Sequence, residues 1–195
     1  MNIGRPKEFE FDEALEAALD VFWKKGYEAT SLQDLTEAMK LSKSSFYQTF
    51  ESKHKLLQSC IMRYQEIITK ELTDSLENSK SGRSFIEGAF NALAEKAKSP
   101  CDHRGCLIVN CANEFAQKDP TIADLINKAT KKTTDIFLIA VKRAQKEGEV
   151  SSDKKPLSIA RYLVSNVCGV QTMIKTGANS TMIKEISDVA LQALN

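Results

Sequence analysis

The chain has 195 residues and a net charge of only +1, with 42% hydrophobic and 27% charged residues. This composition is ordinary for a soluble globular protein, and the small net charge excludes binding to nucleic acid through a global basic field. The sequence contains no apolar run of about 18 residues that would span a membrane, and its N-terminus lacks the apolar segment of a secretory signal.

The five cysteines are an odd number and lack the spacing of a disulfide scaffold. Reduced cysteines are typical of proteins in a reducing compartment. We therefore predict a cytoplasmic protein with no membrane partner.

Three short helices are predicted at the N-terminus. The first is expected to begin after Asp12 and to end at Gly26, since glycine readily adopts positive φ. The second is expected to follow Ser31, with Asp34 at the acidic position of a capping box, and the third to follow Ser42. Two short helices joined by a tight turn, within residues 31–50, are typical of a helix-turn-helix DNA-binding unit.

The third helix has a polar outer face and a buried face formed by Phe46 and Phe50. Its outer side chains are Lys43, Ser44, Ser45, Tyr47 and Gln48. Base edges in the major groove are recognised by hydrogen-bond donors and acceptors, so we expect this face to contact DNA bases. Lys53 lies in the first turn of the next helix, where free backbone N–H groups favour a phosphate. Arg5 precedes the first helix, on an arm that either enters a minor groove or is a solvated tail.

The remainder of the sequence also has helical periodicity, without a strand pattern that competes with it. A long fourth helix is expected from Lys53 to about Glu77, and a further helix around Phe85 to Leu93. The later helices are expected over residues 106–117, 120–147, 156–177 and 181–194. The predicted fold class is all-α, with about nine helices.

Three segments between residues 4 and 57 are informative in combination. They read GRPKEF, then ALDVFWKKGYEATSL, then SKSSFYQTFESK. Together they resemble the TetR/AcrR family of bacterial repressors. The resemblance implies a homodimer that binds palindromic double-stranded operator DNA and releases it when a small molecule binds.

The resemblance also implies roles for individual residues. The positions that match phosphate contacts are Thr30, Tyr47 and Lys53, and those that match the base-contacting face are Lys43, Ser44, Ser45 and Gln48. It divides the chain into a DNA-binding domain over residues 1–51 and a ligand-sensing and dimerisation domain over residues 52–195.

The segment that contains Cys106 resembles a Gly-Cys-Leu segment of many such regulators, and its cysteines have three interpretations. They can simply pack as small hydrophobic side chains. Cys106 can be a thiol sensor, since a helix N-terminus with Arg104 and His103 nearby would favour its thiolate. A metal site from Cys101, His103 and Cys106, with Cys111 nearby, is the third interpretation, but the spacing is not a recognised zinc pattern. We predict no metal and no cofactor.

The effector of the predicted sensor is not identified by the sequence. The candidate sensing residues are Cys106, Asn110, Cys111, Phe115, Phe137 and Met173, beside the further apolar or polar candidates Phe85, Phe90, Leu138 and Asn113. Aromatic residues and methionine at helical spacing are also typical of a plain hydrophobic core.

The last two helices are predicted to form the dimer interface. Their apolar residues are Ile159, Leu163, Val167, Val170 and Ile174, followed by Ile183, Ile186, Ala190 and Leu194. Two helices from each subunit would form a four-helix interface across a two-fold axis, with Gly169 allowing close approach. The alternative is that these faces pack only within one chain.

These observations predict a one-component transcriptional regulator, and more specifically a repressor released by a small-molecule or thiol-reactive signal. Enzyme motifs such as Gly-x-Ser-x-Gly, His-Glu-x-x-His and a phosphate-binding glycine loop are missing from the sequence. Two alternatives stay open. One is an architectural or cell-cycle DNA-binding protein of the same fold without an inducer. The other is a helical enzyme or binding module that keeps the N-terminal helices only as structure.

Overall fold

A computed structural model describes residues 7–99 and 104–195, with side chains from residue 11 onward. Within these residues the chain is all-helical, as predicted. The nine described helices are α1 (Lys7–Lys25), α2 (Leu32–Ala38), α3 (Lys43–Phe50), α4 (Lys53–Asn78), α5 (Gly82–Lys96), α6 (Leu107–Phe115), α7 (Pro120–Lys146), α8 (Pro156–Lys175) and α9 (Ser180–Leu191). A 3₁₀ turn, Gln192–Leu194, follows α9.

Most helix boundaries follow from local capping chemistry. The hydroxyl of Ser31 accepts a hydrogen bond from the N–H of Asp34 at 3.0 Å, and the Asp34 carboxylate accepts one from the N–H of Ser31 at 2.8 Å. This is the predicted capping box. The hydroxyls of Ser42 and Ser52 cap α3 and α4 by accepting from the N–H groups of Ser45 and Lys55, without the reciprocal bond, and Asp119 caps α7.

The start of α1 differs from the prediction. The helix begins at Lys7, several residues before the predicted position after Asp12. Asp12 is only one candidate cap, and Lys7 to Glu10 include residues with good helix propensity that extend the helix toward the N-terminus. The predicted end is confirmed, because Gly26 has a φ of +79° directly after α1.

Two hydrophobic cores form the interior of the described chain. The first joins α1, α2 and α3 to the N-terminal half of α4, to α6 and to the start of α7; fully buried members include Phe22, Leu35, Phe46, Leu57 and Ile61. The second joins α5, α7, α8 and α9. The N-terminal helices therefore share one core with helices that follow residue 52, so they are packed directly against the rest of the chain.

The apolar residues that the sequence assigned to a dimer interface are mostly interior. Those buried within the chain are Ile159, Leu163, Val170, Ile174, Ile183, Ala190 and Leu194. For these residues the alternative of packing within one chain is correct, because α8 and α9 direct this side toward α5 and α7. A second, outward side of α8 and α9 carries the exposed residues Tyr162, Met173, Met182 and Val189.

In the part of the chain that the structure describes, no helix combines the length and the apolar character needed to cross a membrane.

Candidate DNA-binding surface and sensor cavity

Helix α3 presents a polar face to solvent and packs its aromatic side chains inward. Phe46 and Phe50 are buried in the first core. The predicted contact residues Lys43, Ser44, Tyr47 and Gln48 are exposed, and the Tyr47 side chain is 53% accessible. The Tyr47 ring packs edge-on against Phe46, with 5.3 Å between ring centroids. An exposed helix face with donors and acceptors, on a rigid core, meets the geometric requirement for contact with a major groove.

Two of the predicted DNA contacts are used inside the fold. The Ser45 hydroxyl lies 2.9 Å from that of Ser42, the N-cap of α3. Thr30 is only 1% exposed, and its hydroxyl donates to the carbonyl of Gly26 at 2.5 Å. Thr30 thus holds the turn between α1 and α2, and we leave it out of the proposed DNA-contacting set.

The N-terminus of α4 lies next to this polar face. Lys53 is its first residue, and its ammonium nitrogen lies 4.1 Å above the Tyr27 ring centroid. A cation at a helix N-terminus, beside free backbone N–H groups, is a suitable partner for a phosphate. Lys55 is also exposed here, whereas Arg5 lies outside the described residues.

A cavity of about 280 Å³ lies between α4, α5, α6, α7 and α8. Its walls include Tyr64, Gln65, Ile68, Leu72, Ala89, Leu93, Cys106, Ile108, Val109, Ala129, Thr133, Phe137, Val164, Val167, Cys168 and Gln171. Ligand sites are typically mostly apolar clefts with a few polar groups that fix orientation, and this cavity has that composition.

Only some of the predicted sensing residues line this cavity. Cys106 and Phe137 do. Asn110 of α6 instead bonds to α8 and to the segment before α6. Its side chain accepts a hydrogen bond from Lys175 at 2.9 Å and donates one to the Arg104 carbonyl at 3.0 Å. The other three predicted residues lie elsewhere: Cys111 and Phe115 are buried in the first core, and Met173 is exposed on α8.

The cysteines differ in their surroundings. Cys106 is the N-cap of α6 and is partly buried, and Tyr64 lies beside it. Burial raises the pKa of the Cys111 thiol to about 12 and also raises the pKa of Cys168. Burial keeps a thiol protonated and therefore unreactive. Cys101 and His103, named in the alternative metal site, lie outside the described residues.

The sequence interpretation missed most of the cavity wall, including Gln65, Cys168 and Gln171. Gln65 stands three and seven residues before the apolar residues Ile68 and Leu72, which also line the cavity. A polar residue within an apolar helical stripe was the available indication. The position of Gln171 in the wall had no comparable indication in the sequence.

Helix α6 connects the cavity to α1, α2 and α3, the helices of the candidate DNA-binding unit (the DNA-binding helices below). Its first turns contribute Ile108 and Val109 to the cavity wall. Near its end, Glu114 accepts hydrogen bonds from the backbone N–H groups of Tyr27 at 3.5 Å and of Glu28 at 3.1 Å. Phe115 packs edge-on against Tyr27, with ring centroids 5.2 Å apart. A displacement of α6 would therefore act on the turn between α1 and α2.

The residues before α6 form a second connection, to α1. Arg104 forms an ion pair with Asp20 at 2.6 Å and lies 4.2 Å above the Trp23 ring centroid. The Trp23 indole N–H donates to the Gly105 carbonyl at 3.2 Å. The ion pair with Asp20 and the contact with Trp23 therefore hold the segment before α6 against α1.

Comparisons with known proteins agree with this architecture. The family model "Bacterial regulatory proteins, tetR family" matches residues 14–60, and "Tetracyclin repressor-like, C-terminal domain" matches residues 84–189. The chain is 30% identical over 194 residues to the uncharacterized HTH-type transcriptional regulator YezE of Bacillus subtilis, covering 99% of this chain and 100% of the relative. It is 28% identical over 193 residues to the HTH-type transcriptional repressor ComR of Escherichia coli, covering 97% of this chain and 90% of the relative.

Solved structures give the same result. The TetR family transcriptional regulator CifR, a cysteine mutant complexed with 26-bp double-strand operator DNA, superposes with a TM-score of 0.85 at 26% identity, covering 98% of this chain and 100% of that one. The reduced form of Escherichia coli NemR superposes with a TM-score of 0.87 at 16% identity, covering 96% of this chain and 97% of that one. At this identity the likeness supports the fold alone. These relatives are regulators rather than enzymes. The chain therefore belongs to the TetR family of bacterial regulatory proteins, and it is a transcriptional regulator with a helix-turn-helix DNA-binding unit.

Proposed function

We propose that the protein is a repressor that binds a palindromic operator as a homodimer and leaves it when the cavity is occupied or Cys106 is modified. It would act in the cytoplasm, where its DNA target lies. The observation that carries the proposal is the pair of continuous contacts, through α4 and α6, between the cavity walls and the DNA-binding helices.

DNA binding would use α3 and the N-terminus of α4. The exposed residues Lys43, Ser44, Tyr47 and Gln48 would face bases and backbone in the major groove, and Lys53 would contact a phosphate. Two copies related by a two-fold axis would place their α3 helices in successive major grooves, about 34–36 Å apart. The spacing of the two helices therefore determines affinity.

Release would follow from a shift of α4 and α6. Tyr64, Gln65, Ile68 and Leu72 of α4 line the cavity, and the same helix begins at Lys53 beside α3. A ligand that binds one tilt of α4 more tightly than another would change the separation of the two α3 helices in the dimer. The extent of release is limited by this difference in affinity between the two dimer shapes.

The cavity also distinguishes this proposal from an architectural DNA-binding protein of the same fold. An architectural protein needs only a filled core, whereas this chain has a cavity of about 280 Å³ between five helices. Its walls reach both α4 and α6, so an occupant would contact the two helices that touch the DNA-binding unit.

The proposal is tested by binding of the purified protein to the DNA that flanks its own gene, at two salt concentrations. Lys53→Ala should weaken binding to every sequence and reduce the slope of log K against log salt by about 1, because one phosphate contact is lost. Lys142→Ala, which removes an exposed lysine of α7, is the matched control and should leave both quantities unchanged. An unaltered salt slope for the Lys53 variant would refute the phosphate contact.

The nature of the trigger is tested with the same DNA. If thiol-reactive compounds release the wild-type protein but not Cys106→Ser, the thiol of Cys106 is the sensor. Cys111→Ser, at a buried thiol outside the cavity, should respond as the wild type does. Release of Cys106→Ser by the same compounds would exclude Cys106 as the sensing thiol. If operator binding is specific and insensitive to these compounds, the trigger is a non-covalent ligand. Absence of specific binding in a genome-wide selection would refute the repressor proposal.

A further inference from the structure

Two side-chain amides in the cavity wall each have one buried atom without a hydrogen-bond partner. The Nε2 atom of Gln65 on α4 and the Oε1 atom of Gln171 on α8 are both inaccessible to solvent, and neither has a partner among the described residues. Both side chains line the cavity between the helices. A buried donor or acceptor without a partner is costly, so an occupant that pairs with both would gain affinity from them.

The two unpaired atoms are complementary in kind. Nε2 of Gln65 is a donor and requires an acceptor, such as a carbonyl oxygen. Oε1 of Gln171 is an acceptor and requires a donor, such as a hydroxyl group. They lie on different helices of the wall, and most of the other lining residues are aliphatic or aromatic, for example Ile68, Val109 and Phe137.

The charges of the wall argue against an ionic occupant. Of the described residues that line the cavity, Glu71 and Lys96 are charged, one of each sign. Glu71 is exposed to solvent. The Lys96 ammonium lies 3.4 Å from the Gly105 carbonyl, as a donor to it, and 5.4 Å from the Trp23 ring centroid. The described part of the wall therefore has no cluster of like charges that would pair with an ionic ligand, and a buried charge without a partner is strongly unfavourable.

The volume sets the size of the occupant. An apolar protein cavity of roughly 150 Å³ accommodates benzene. The present cavity of about 280 Å³ therefore accommodates a molecule of roughly a dozen non-hydrogen atoms.

We propose that the cavity binds an uncharged, mainly apolar molecule of this size that carries a carbonyl group and a hydroxyl group, the carbonyl accepting from Gln65 and the hydroxyl donating to Gln171. The inference rests on the proposed function only in taking this cavity as the sensor site. Binding is non-covalent and leaves the thiols of Cys106 and Cys168 unchanged.

The test uses the three ring isomers of methyl hydroxybenzoate, which do not react with thiols and place hydroxyl and carbonyl at three separations. Binding to the DNA-free protein is measured by calorimetry. At least one isomer should bind, whereas its methyl ether, which lacks the donor, and the corresponding propylphenol, which lacks the carbonyl, should bind at least about tenfold more weakly. The hydroxybenzoate anion should bind more weakly still.

Two variants assign the groups. Gln65→Leu should remove the preference for the ester over the alkylphenol, and Gln171→Leu should remove the preference for the phenol over its ether, each leaving the other preference intact. Gln33→Leu, on the exposed side of α2, is the matched control and should change neither. Both cavity variants should keep or raise the Tm, because an unpaired buried amide is replaced by an apolar side chain of similar size.

The proposal is overturned if no isomer of methyl hydroxybenzoate binds, or if the methyl ether and the propylphenol bind as well as the hydroxy ester. It is also overturned if the hydroxybenzoate anion binds best, or if the two leucine variants keep both preferences. A fall in Tm for either cavity variant would also overturn it, since it would show that the amide is paired within the folded chain. Release from DNA is measured separately. If the ester binds the protein but does not release it from DNA, release through the cavity is refuted and the proposed ligand class stands. If the protein does not bind an operator at all, that result contradicts the proposed function and not the proposed ligand class.

Discussion

At the scale of single residues, the capping box of α2 shows how a side chain fixes both a helix start and a charge. The Lys25 ammonium lies 2.6 Å from the Asp34 carboxylate, which also accepts from the N–H and the hydroxyl of Ser31. The hydrogen bond from Lys25, followed by those from Ser31, lowers the pKa of Asp34 to about 2, whereas the usual value is near 4. The carboxylate form is therefore favoured by the fold.

Asp34→Asn should reduce the free energy of unfolding at neutral pH and lose this effect in acid. Because the folded pKa is lowered, the contribution of Asp34 is fully present above about pH 4 and disappears as the pH falls towards 2. Urea unfolding between pH 2.5 and 7 measures it, and the difference between wild type and variant should shrink through this range. Asp135→Asn, at an exposed ion pair with Lys131, is the control and should change the free energy of unfolding little at neutral pH. A difference independent of pH would contradict the assignment.

At the scale of helices, α5 approaches α7 so closely that only glycine fits at its first position. A Cβ atom on Gly82 would lie 2.1 Å from the Ala140 carbonyl oxygen and 2.5 Å from the Ala144 nitrogen. Both are backbone atoms of α7, so the clash cannot be relieved by rotation of a side chain. A Cβ on Gly88, two turns further along α5, would meet nothing within 4 Å.

These two glycines should respond in opposite directions to alanine. Gly82→Ala should destabilise the protein by about 1–3 kcal/mol, because the helices must separate. Gly88→Ala should stabilise it by about 0.5–1 kcal/mol, because alanine has the better helix propensity and no contact is disturbed. Equilibrium unfolding of both variants under one set of conditions measures the difference. Equal effects of the two substitutions would show that α5 and α7 are further apart than described.

The contact between α6 and the DNA-binding helices is a second feature of this scale. Glu114→Ala removes both hydrogen bonds to the turn at Tyr27 and Glu28, and should lower the free energy of unfolding by about 1 kcal/mol. Hydrogen exchange of the amides in residues 26–30 should accelerate, while α9 is unaffected. Glu95→Ala, at an exposed pair with Lys98, is the control and should leave this turn unchanged. Unchanged exchange at Tyr27 and Glu28 in the Glu114 variant would mean that α6 does not hold the turn.

Local chemistry explains which features the sequence predicted. Ser31, Ser42 and Ser52 each cap a helix through an atom three residues away or less, so their effect is visible in a short window of sequence. The proline after Asp119 marks the start of α7 for the same reason. The all-helical fold and the helix-turn-helix unit rest on such short-range features.

The cavity depends on contacts that the sequence does not display. Gln65 of α4 and Gln171 of α8 both line the cavity, and no spacing rule joins positions so distant in the chain. Helix α6 is apolar on several sides, so periodicity could not decide that Val109 faces the cavity while Cys111 and Phe115 face the first core. The same ambiguity, of two apolar sides on one helix, led to the wrong assignment of Leu163 and its neighbours to a subunit interface.

At the scale of the whole molecule, the outward sides of α8 and α9 decide whether the proposed dimer can form. Tyr162 and Met173 are 44% and 38% exposed on α8, and Met182 and Val189 are 43% and 62% exposed on α9. Gly169 is exposed between the two α8 residues, and a Cβ there would meet nothing within 4 Å. A partner helix could approach closely at this point.

Val189→Glu should therefore convert the proposed dimer to a monomer without unfolding the chain. In a two-fold interface one substitution introduces two carboxylates, one from each subunit, and burying them without partners is strongly unfavourable. Light scattering after gel filtration should show the mass of one chain, with an unchanged far-UV circular dichroism spectrum. Operator affinity should fall as well, because a single α3 helix contacts only one half-site. Ile139→Glu, at a residue of α7 that is 58% exposed, is the control and should stay dimeric. A Val189→Glu variant that remains a dimer with wild-type operator affinity would place the subunit interface on another surface.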